Sequence, residues 1–289
     1  MKSKVYFIRD ITPDNVIKIY QKMGVNLTGR VAVKVHSGED GNQNFLRPEF
    51  LEPMIDYVDG TVVECNTAYD GARNTTEAHT KLMEKHGWSR IFDVDILDSE
   101  GDDLVLDIPD GKVIKKDYVG SHLKNYDSCL VLSHFKGHPM GGYGGALKQL
   151  SIGFASSYGK AYIHGAGRPE DLWMADHDKF LEAMADAASA VCKYFKDNIC
   201  YINIMCNMSV DCDCCAVAED PCMEDIGILA STDPIALDQA CIDLVYQSNN
   251  DKGRDHLIER IESRNGIHTI ESSSLLDFGQ RDYELIEIK

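Results

Sequence analysis

The sequence lacks the features of a membrane-spanning, repetitive or nucleic-acid-binding protein. No apolar run is long enough to cross a bilayer, Met1–Asp10 shows no charged-then-apolar leader, and there is no fixed-period repeat or low-complexity segment. Positive charge is scarce, because 29 Lys and Arg face 47 Asp and Glu, for a formal net charge of −18. Such a chain repels phosphate backbones and anionic lipid surfaces. We therefore expect a cytoplasmic protein without a nucleic-acid or membrane partner.

The chain has the composition of a globular protein, since 44% of its 289 residues are hydrophobic. Short apolar strands alternate with amphipathic helices, a pattern typical of a parallel sheet. We predict a single α/β domain over residues 1–289, or two interleaved lobes with a break near residues 120–128. The sheet is expected to be mostly parallel and Rossmann-like, with helices on both faces. Asp102–Tyr118 is predicted to form a small antiparallel hairpin insertion.

Local signals predict several element boundaries. Thr12 is placed to cap the first helix and Gly24 to end it. Asn74 and Glu77 resemble a capping box that opens the third helix. Ile91–Leu97 is predicted to be a strand.

Five polar stretches each follow a predicted strand. They are His36–Asn44, Cys65–Asn74, Ser133–Lys148, Cys206–Cys222 and Ser231–Asp233. Ligands of open parallel sheets bind outside the carboxyl ends of the strands. Because parallel strands end at one edge, we expect the five stretches to share that edge and to build one site.

The stretch from residue 133 to 148 concentrates reactive side chains between a strand and a helix start. Its candidates for proton transfer, metal binding or anion binding are His134, Lys136, His138 and Lys148. Gly144 and Gly145 precede the predicted helix Ala146–Gly153, whose free N–H groups would favour an anion. The alternative is a glycine-rich surface loop without a ligand.

Further candidates lie on neighbouring loops. His36 follows the second strand, and His164 lies beside glycines and an arginine. Asn66, Tyr69 and Arg73 share one loop, where Arg73 is suited to bind a carboxylate or phosphate with two parallel hydrogen bonds. For each of these residues the alternative is a structural role in hydrogen bonds or salt bridges.

Five cysteines lie close together in one acidic segment. They are Cys206, Cys212, Cys214, Cys215 and Cys222. Thiolates bind soft or borderline metals such as zinc, the iron of iron–sulfur clusters or copper(I), so this segment predicts a metal ion or an iron–sulfur cluster. The spacing differs from the C-x-x-C runs of ferredoxins and zinc ribbons. The alternative is a set of buried structural thiols.

Several of these motifs together resemble one family. They are Lys34-Val35-His36-Ser37-Gly38-Glu39, Cys65-Asn66-Thr67-Ala68-Tyr69, the Ser133–Gly145 loop, Asp211-Cys212-Asp213-Cys214 and Ile226-Gly227-Ile228-Leu229-Ala230-Ser231-Thr232-Asp233-Pro234. The combination is similar to the Domain of Unknown Function 362 (DUF362) family, from about Val31 to Leu244. Members of that family are often described as uncharacterised iron–sulfur-centre proteins. The resemblance therefore implies an iron–sulfur centre.

A second, weaker resemblance is to the nickel-pincer lactate racemase family. It rests on His138, Gly144-Gly145-Ala146-Leu147-Lys148 and His164, whose order and spacing are similar to those of the family. The resemblance implies that Lys148 carries the cofactor covalently, that one histidine binds nickel and that another handles substrate protons. It also implies that Asp70-Gly71-Ala72-Arg73 forms a phosphate-contacting loop.

Taken together, the sequence predicts a metal-dependent enzyme, an oxidoreductase or a racemase-like isomerase, acting on a small anionic molecule. The competing hypothesis is a non-enzymatic metal or electron carrier. A third is a thiol-rich structural protein without a cofactor. A homo-oligomer is compatible with any of the three.

Overall fold

The structure, a computed structural model, describes residues 2–249 and 251–289. Within these ranges the strands are β1 (Ser3–Ile8), β2 (Val31–Lys34), β3 (Gly60–Glu64), β4 (Val94–Ile96), β5 (Asp103–Asp107), β6 (Lys116–Gly120), β7 (Ser128–His134), β8 (Lys136–His138), β9 (Gly142–Gly144), β10 (Ile199–Met205), β11 (Gly227–Ser231) and β12 (Tyr283–Glu287). The helices are α1 (Pro13–Met23), α2 (Pro48–Tyr57), α3 (Thr76–Lys85), α4 (Trp88–Ile91), α5 (Ala146–Lys148), α6 (Ser157–His164), α7 (His177–Phe195), α8 (Pro234–Gln247), α9 (Asp251–Ser263) and α10 (Ile267–Ser273). None of the helices in these two ranges has the length and apolar character that crossing a membrane requires.

Eight strands form one sheet in the order β12-β1-β11-β10-β7-β2-β3-β4. Seven of them run in the same direction, and β11 is antiparallel to both of its neighbours. In the centre of the sheet Val33 of β2 pairs with Leu130 of β7 and with Val62 of β3. The predicted α/β class with a mostly parallel sheet is confirmed.

Helices cover both faces of the sheet, as predicted. Alternate residues of a strand point to opposite faces. Val33 and Leu130 therefore pack on one face with Ile19 of α1 and Leu51 of α2. The neighbouring Val131 packs on the other face, in a cluster that also contains residues of α7 and α8. The two clusters bury the strands on both sides.

The antiparallel hairpin lies apart from the main sheet. β5 and β6 pair only with each other among the described strands, from Asp103 opposite Gly120 to Asp107 opposite Lys116. The predicted antiparallel hairpin insertion is therefore confirmed, and it forms a two-stranded sheet of its own. β8 and β9 form a second small antiparallel sheet.

The first helix begins and ends at the predicted residues. The hydroxyl of Thr12 accepts a hydrogen bond from the backbone N–H of Asn15 at 3.2 Å. Gly24 ends α1 in the left-handed conformation, with φ of 70°, which glycine adopts at low cost. These two residues satisfy backbone groups that would otherwise lack partners at the ends of the helix.

Two other boundaries differ from the sequence prediction. The hydroxyl of Thr75, rather than the side chain of Asn74, caps α3, because Asn74 instead bonds to the carboxylate of Asp70. Within the predicted strand Ile91–Leu97 only Val94–Ile96 forms β4, and Ile91 is the last residue of the helical turn α4.

Candidate functional site

Four of the five polar stretches lie at the carboxyl edge of the sheet. They follow β2, β3, β7 and β10, which are neighbouring parallel strands in the order β10-β7-β2-β3. The fifth stretch, Ser231–Asp233, follows the reversed strand β11 and therefore lies at the opposite edge. There Asp233 caps α8 and accepts hydrogen bonds from Ser3 and from the backbone of Gln280. Its expected place beside the site is wrong.

The loop after β2 binds the cysteine-rich segment directly. The side-chain amide of Asn42 donates to the carbonyl oxygens of Cys212 and Cys215, at 3.3 and 2.9 Å. The amide of Asn44 donates to the carbonyl oxygen of Glu219 at 2.8 Å. These bonds connect segments that are about 170 residues apart in the chain. Polar residues of this loop thus serve as structural partners of the segment from residue 206 to 226.

A cavity of about 220 Å³ opens at this edge. Eight of the predicted site residues line it: His36, Tyr69, Arg73, His138, Lys148, His164, Cys214 and Cys215. The other eight are not part of its lining: Asn66, His134, Lys136, Gly144, Gly145, Cys206, Cys212 and Cys222. The structure thus gathers Lys148, Arg73 and Cys214 around one space, as the arrangement of the strands led us to expect.

The lining of the cavity is cationic although the protein is acidic. It contains four basic side chains, Lys34, Arg73, Lys148 and Lys160, against the single carboxylate of Glu64. Lys34 pairs with Glu64 at 2.8 Å and Arg73 pairs with Glu39 at 3.1 Å. Lys160 donates to the carbonyl oxygen of Ala155 at 2.6 Å.

Lys148 differs from the other three cations. Its ammonium group has no hydrogen bond or ion pair among residues 2–249 and 251–289. The side chain is half-buried and lines the cavity. A cation in this position lacks the counter-ion that buried charges normally have. Lys148 is therefore the group of the cavity that is free to bind an anion.

Arg73 and its loop are largely engaged by the protein itself. The guanidinium of Arg73 donates to Glu39 and to the hydroxyl of Tyr69, at 3.1 Å each. Asn66 turns away from the cavity and bonds to Thr76 at 3.0 Å and to the ring of His79 at 3.3 Å. The contacts of Asn66 are those of a residue with a structural role. Arg73 could bind a ligand with two parallel hydrogen bonds only if its guanidinium left Glu39.

Gly144 and Gly145 lie beside a helix start that is already occupied. The carboxylate of Asp238 accepts hydrogen bonds from the backbone N–H groups of Ala146 and Leu147, at 2.9 and 3.0 Å. A Cβ atom at Gly145 would lie 2.5 Å from this carboxylate, so only glycine allows the approach. An internal carboxylate therefore takes the place expected for an external anion. Whether Gly144 and Gly145 contact a ligand in another way stays a prediction.

His134 and Lys136 form a buried network with Asp213. The Nδ1 atom of His134 lies 2.9 Å from Asp213 Oδ1, and the ammonium of Lys136 lies 2.7 Å from Asp213 Oδ2. The Nε2 atom of His134 faces the carbonyl oxygen of Cys206 at 2.6 Å. Both ring nitrogens of His134 therefore lie within hydrogen-bond distance of oxygen atoms.

This network has a structural role. All three side chains are at least 95% buried, and neither His134 nor Lys136 lines the cavity. Asp213 lies between Cys212 and Cys214, so its contacts with His134 and Lys136 hold the turn that carries these thiols. An acid–base role of His134 and Lys136 stays a prediction, and it would require access to the cavity that neither side chain lines.

One group in the described part of the chain has the composition of a metal site. The ligand atoms of His138, Cys212 and Cys214 all lie within 4.8 Å of one another. Two sulfur donors fit a soft or borderline metal ion, which binds thiolates at about 2.3 Å. Burial raises the pKa of Cys212 to about 11, so a bound cation would have to displace its proton.

His138 fits this group as a hydrogen-bond donor. Its Nδ1 atom accepts from the backbone N–H groups of Met140 and Gly141, at 3.1 and 2.8 Å. Burial lowers the pKa of His138 to about 4, so the ring is neutral and its proton is on Nε2. That atom lies 3.7 Å from the sulfur of Cys214 and donates to it. Direct ligation by Nε2 would require the two backbone bonds to Nδ1 to break.

The remaining cysteines of the segment lie apart from this pair. Cys206 packs in one of the two core clusters of the sheet, where burial raises its pKa to about 12. The thiol of Cys222 donates to the carbonyl oxygen of Met208 at 3.2 Å. Cys215 lines the cavity, and its pKa is lowered by a hydrogen bond from Cys214. The predicted set of five ligands is thus divided, and Cys206 and Cys222 are not placed to bind the same ion.

The neutral histidines of the cavity differ in their surroundings. His164 stacks on Phe180 with ring centroids 4.7 Å apart, and its Nδ1 atom is buried without a hydrogen-bond partner among the described residues. Burial, then the charges of Lys148 and Lys160, lowers its pKa to about 3. His36 accepts a hydrogen bond from the backbone of Gly38, and burial likewise holds its pKa well below the usual value.

Comparison with known proteins places the chain in a family. The sequence model described as domain of unknown function (DUF362) matches residues 31–243. The chain belongs to this family. All residues that line the cavity lie within the matched range, whereas β1 and β12 lie outside it. The resemblance inferred from the motifs is confirmed.

Two solved structures resemble this DUF362 protein at low similarity. The lactate racemase apoprotein from Thermoanaerobacterium thermosaccharolyticum is 10% identical, with 98% of this chain and 82% of that chain covered, at a TM-score of 0.47. A Thermotoga maritima protein from a structural genomics consortium is 12% identical, with coverage of 91% and 58%, at a TM-score of 0.44. At these TM-scores neither likeness bears on function. No curated protein matches the sequence.

Several cavity residues of the DUF362 protein escaped the sequence analysis. Lys34 interrupts an otherwise apolar strand and is fully buried, with hydrogen bonds to Glu64, Gln149 and the carbonyl oxygen of Val35. A lysine within such a strand is a usable signal, because buried lysines require a partner. Burial raises the pKa of Glu64, but the nearby cations outweigh it and hold that pKa well below the usual range.

Proposed function

We propose that this DUF362 protein is a metal-dependent enzyme that acts on a small anionic substrate in the cavity at the carboxyl edge of the sheet. The observation that carries the proposal is the unpaired ammonium group of Lys148, which shares this cavity with the thiol of Cys214. A cation that is available to a ligand, next to donors for a soft metal, is a combination expected of a reaction site. The ten free thiols fit a reducing compartment, for which we propose the cytoplasm.

In this proposal Cys212 and Cys214 hold the metal and Lys148 holds the substrate anion. When bound, the metal supplies Lewis-acid or one-electron redox chemistry. His138 donates a hydrogen bond to the sulfur of Cys214 and thereby favours its thiolate form. These roles are compatible with an oxidoreductase and with a proton-transfer isomerase.

His164 provides a link between substrate binding and proton transfer. In the free protein its pKa is lowered by burial and by the charge of Lys148. An anion on Lys148 neutralises that charge and adds a negative charge nearby, and both effects raise the pKa of His164. The imidazole then approaches the range in which a histidine exchanges protons efficiently at neutral pH.

The test begins with elemental analysis and an absorption spectrum of anaerobically purified protein. Iron with sulfide, zinc alone and nickel each identify a different centre. Cys214→Ser is expected to remove most of the metal, whereas Lys148→Met is expected to retain it. Protein that contains no metal under these conditions contradicts the proposal.

Anion binding is measured by calorimetry with acetate as the probe. Lys148→Met is expected to weaken binding at least tenfold, because it removes the charge and keeps the apolar stem. Lys22→Met, an exposed lysine in the last turn of α1, is the matched control and should bind as the unaltered protein does. A metal-containing protein that binds acetate equally well with and without Lys148 would favour the carrier hypothesis.

A further inference from the structure

The cavity has an apolar part in addition to its cations. Its lining includes the side chains of Pro139, Met140, Ile152, Leu172 and Trp173. A ligand that fills the cavity must therefore place part of its surface against carbon atoms. Inorganic anions are hydrated on all sides and gain nothing from such contacts.

Trp173 is an unusual member of this lining. It is 56% exposed, and with the adjacent Met174, which is 84% exposed, it forms a contiguous apolar surface at the cavity. The ring of Trp173 lies 5.7 Å from the ring of His164 and 6.2 Å from that of Tyr69, both of which also line the cavity. These distances are in the range of aromatic contacts. The aromatic groups thus form a surface on which a flat or cyclic ligand can pack.

The volume of the cavity sets the size of the part of a ligand that it can enclose. An apolar cavity of about 150 Å³ accommodates benzene, which corresponds to roughly 25 Å³ for each carbon atom. At that ratio the cavity of about 220 Å³ accommodates about nine non-hydrogen atoms. Acetate, with four such atoms, leaves more than half of the space unfilled. A six-membered ring that carries one carboxylate group has nine.

The charge of the cavity limits the charge of the ligand. Lys34 and Arg73 are neutralised by Glu64 and Glu39, and Lys160 is turned to a backbone carbonyl with a pKa that burial lowers. Only Lys148, among the cations of the lining described here, has no such partner. One free ammonium group matches one negative charge.

We infer that the substrate class of this site is the small cyclic or aromatic monocarboxylates, with the carboxylate on Lys148 and the ring against Trp173 and Leu172. The inference rests on the proposed function for its anion site and adds the apolar body of the ligand. It distinguishes these compounds from phosphate and from short-chain acids such as acetate. A bound ring would also cover exposed apolar surface of Trp173.

The test compares cyclohexanecarboxylate with acetate on the intact protein. Burial of about half of the five additional carbon atoms predicts roughly 30-fold tighter binding of the ring compound. Cyclohexanecarboxylate does not absorb where tryptophan is excited. The protein has two tryptophans, and Trp88 is fully buried, so quenching by acrylamide reports mainly on Trp173. Saturating cyclohexanecarboxylate should reduce this quenching, and acetate should leave it nearly unchanged.

Variants separate the two parts of the ligand. Trp173→Ala and Leu172→Ala are each expected to reduce the preference for the ring compound several-fold and to leave the affinity for acetate unchanged. Since Trp173 is largely exposed and Leu172 is half-buried, both variants are expected to fold. Lys148→Met is expected to weaken the binding of both compounds.

The outcomes distinguish this inference from the proposed function. Equal affinities for the two carboxylates, both dependent on Lys148, would overturn the inference and leave the anion site intact. Absence of binding for both, in metal-loaded protein, would overturn the anion site and the inference together. Tighter binding of the ring compound that does not change in Trp173→Ala or Leu172→Ala would place the apolar contact elsewhere and also reject the inference.

Discussion

Replacement of Asp213 by asparagine removes the carboxylate from the buried network with His134 and Lys136. The change keeps the shape of the side chain and one of its oxygen acceptors. It leaves the ammonium of Lys136, now 2.7 Å from a neutral amide, without its counter-charge, and it removes the carboxylate that faces the ring of His134. Both side chains are about 95% or more buried, so water does not take the place of the lost carboxylate.

The expected cost follows from this burial. Removal of one partner from a buried ion pair typically costs about 3–5 kcal/mol, because the other charge stays desolvated. For a chain of this size each kcal/mol lowers the melting temperature by about 2–4 °C, so Asp213→Asn should lower it by about 6–20 °C. Chemical denaturation should show the same loss in the free energy of unfolding.

A second aspartate in the same segment provides the matched control. Asp211 pairs with Arg260 at 3.1 Å, but both side chains are about one-fifth exposed. Such a pair is partly solvated and typically contributes less than a fully buried pair, so Asp211→Asn should be the milder variant. If Asp213→Asn unfolds no more readily than Asp211→Asn, the buried network is not what holds the thiol-bearing turn in place.

Three further predictions concern other parts of the chain. Burial lowers the pKa of His79 to about 3, so below pH 6.5 the unfolded chain takes up a proton that the folded chain does not. The stability of the folded state therefore decreases as the pH is lowered. His79→Gln should reduce this slope by about 1.4 kcal/mol per pH unit between about pH 6 and 4, as urea titrations can show. Gly145→Ala should cost about 2 kcal/mol or more, because its Cβ would lie 2.5 Å from a buried carboxylate, whereas Gly71→Ala, with its nearest neighbour at 3.6 Å, should be nearly neutral in the same titrations. Elemental analysis of Cys222→Ser should show unchanged metal content, in contrast to Cys214→Ser, and equal losses would mean that both thiols bind the ion.

Much of the fold follows from local sequence signals. Thr12 and Gly24 bound α1 because capping depends only on residues a few positions away. The direction of β11 does not follow from such signals. The segment from residue 206 to 226 is long enough to return the chain in either orientation, so the choice depends on packing against β1 and β10. For this reason the sequence predicts the wrong edge of the sheet for Asp233.

The site follows from the sequence only in part. The order of the parallel strands predicts that Arg73, Lys148 and Cys214 approach one another, and the cavity brings them together. Pairings between distant residues are beyond such reasoning, because they depend on the final geometry. His134 and Asp213, for example, are 79 positions apart. The roles of the cavity residues in catalysis stay predictions until the variants are measured.

The reversed direction of β11 has a consequence for how this scaffold can diversify. Because β10 ends and β11 begins at the same edge, the intervening segment leaves the sheet and returns to it at that edge. Its length and composition can change without shifting the register of any strand. The metal-binding side chains of this segment can thus differ between related proteins, while Lys34, Lys148 and Lys160, which lie on β2, α5 and α6, keep their positions.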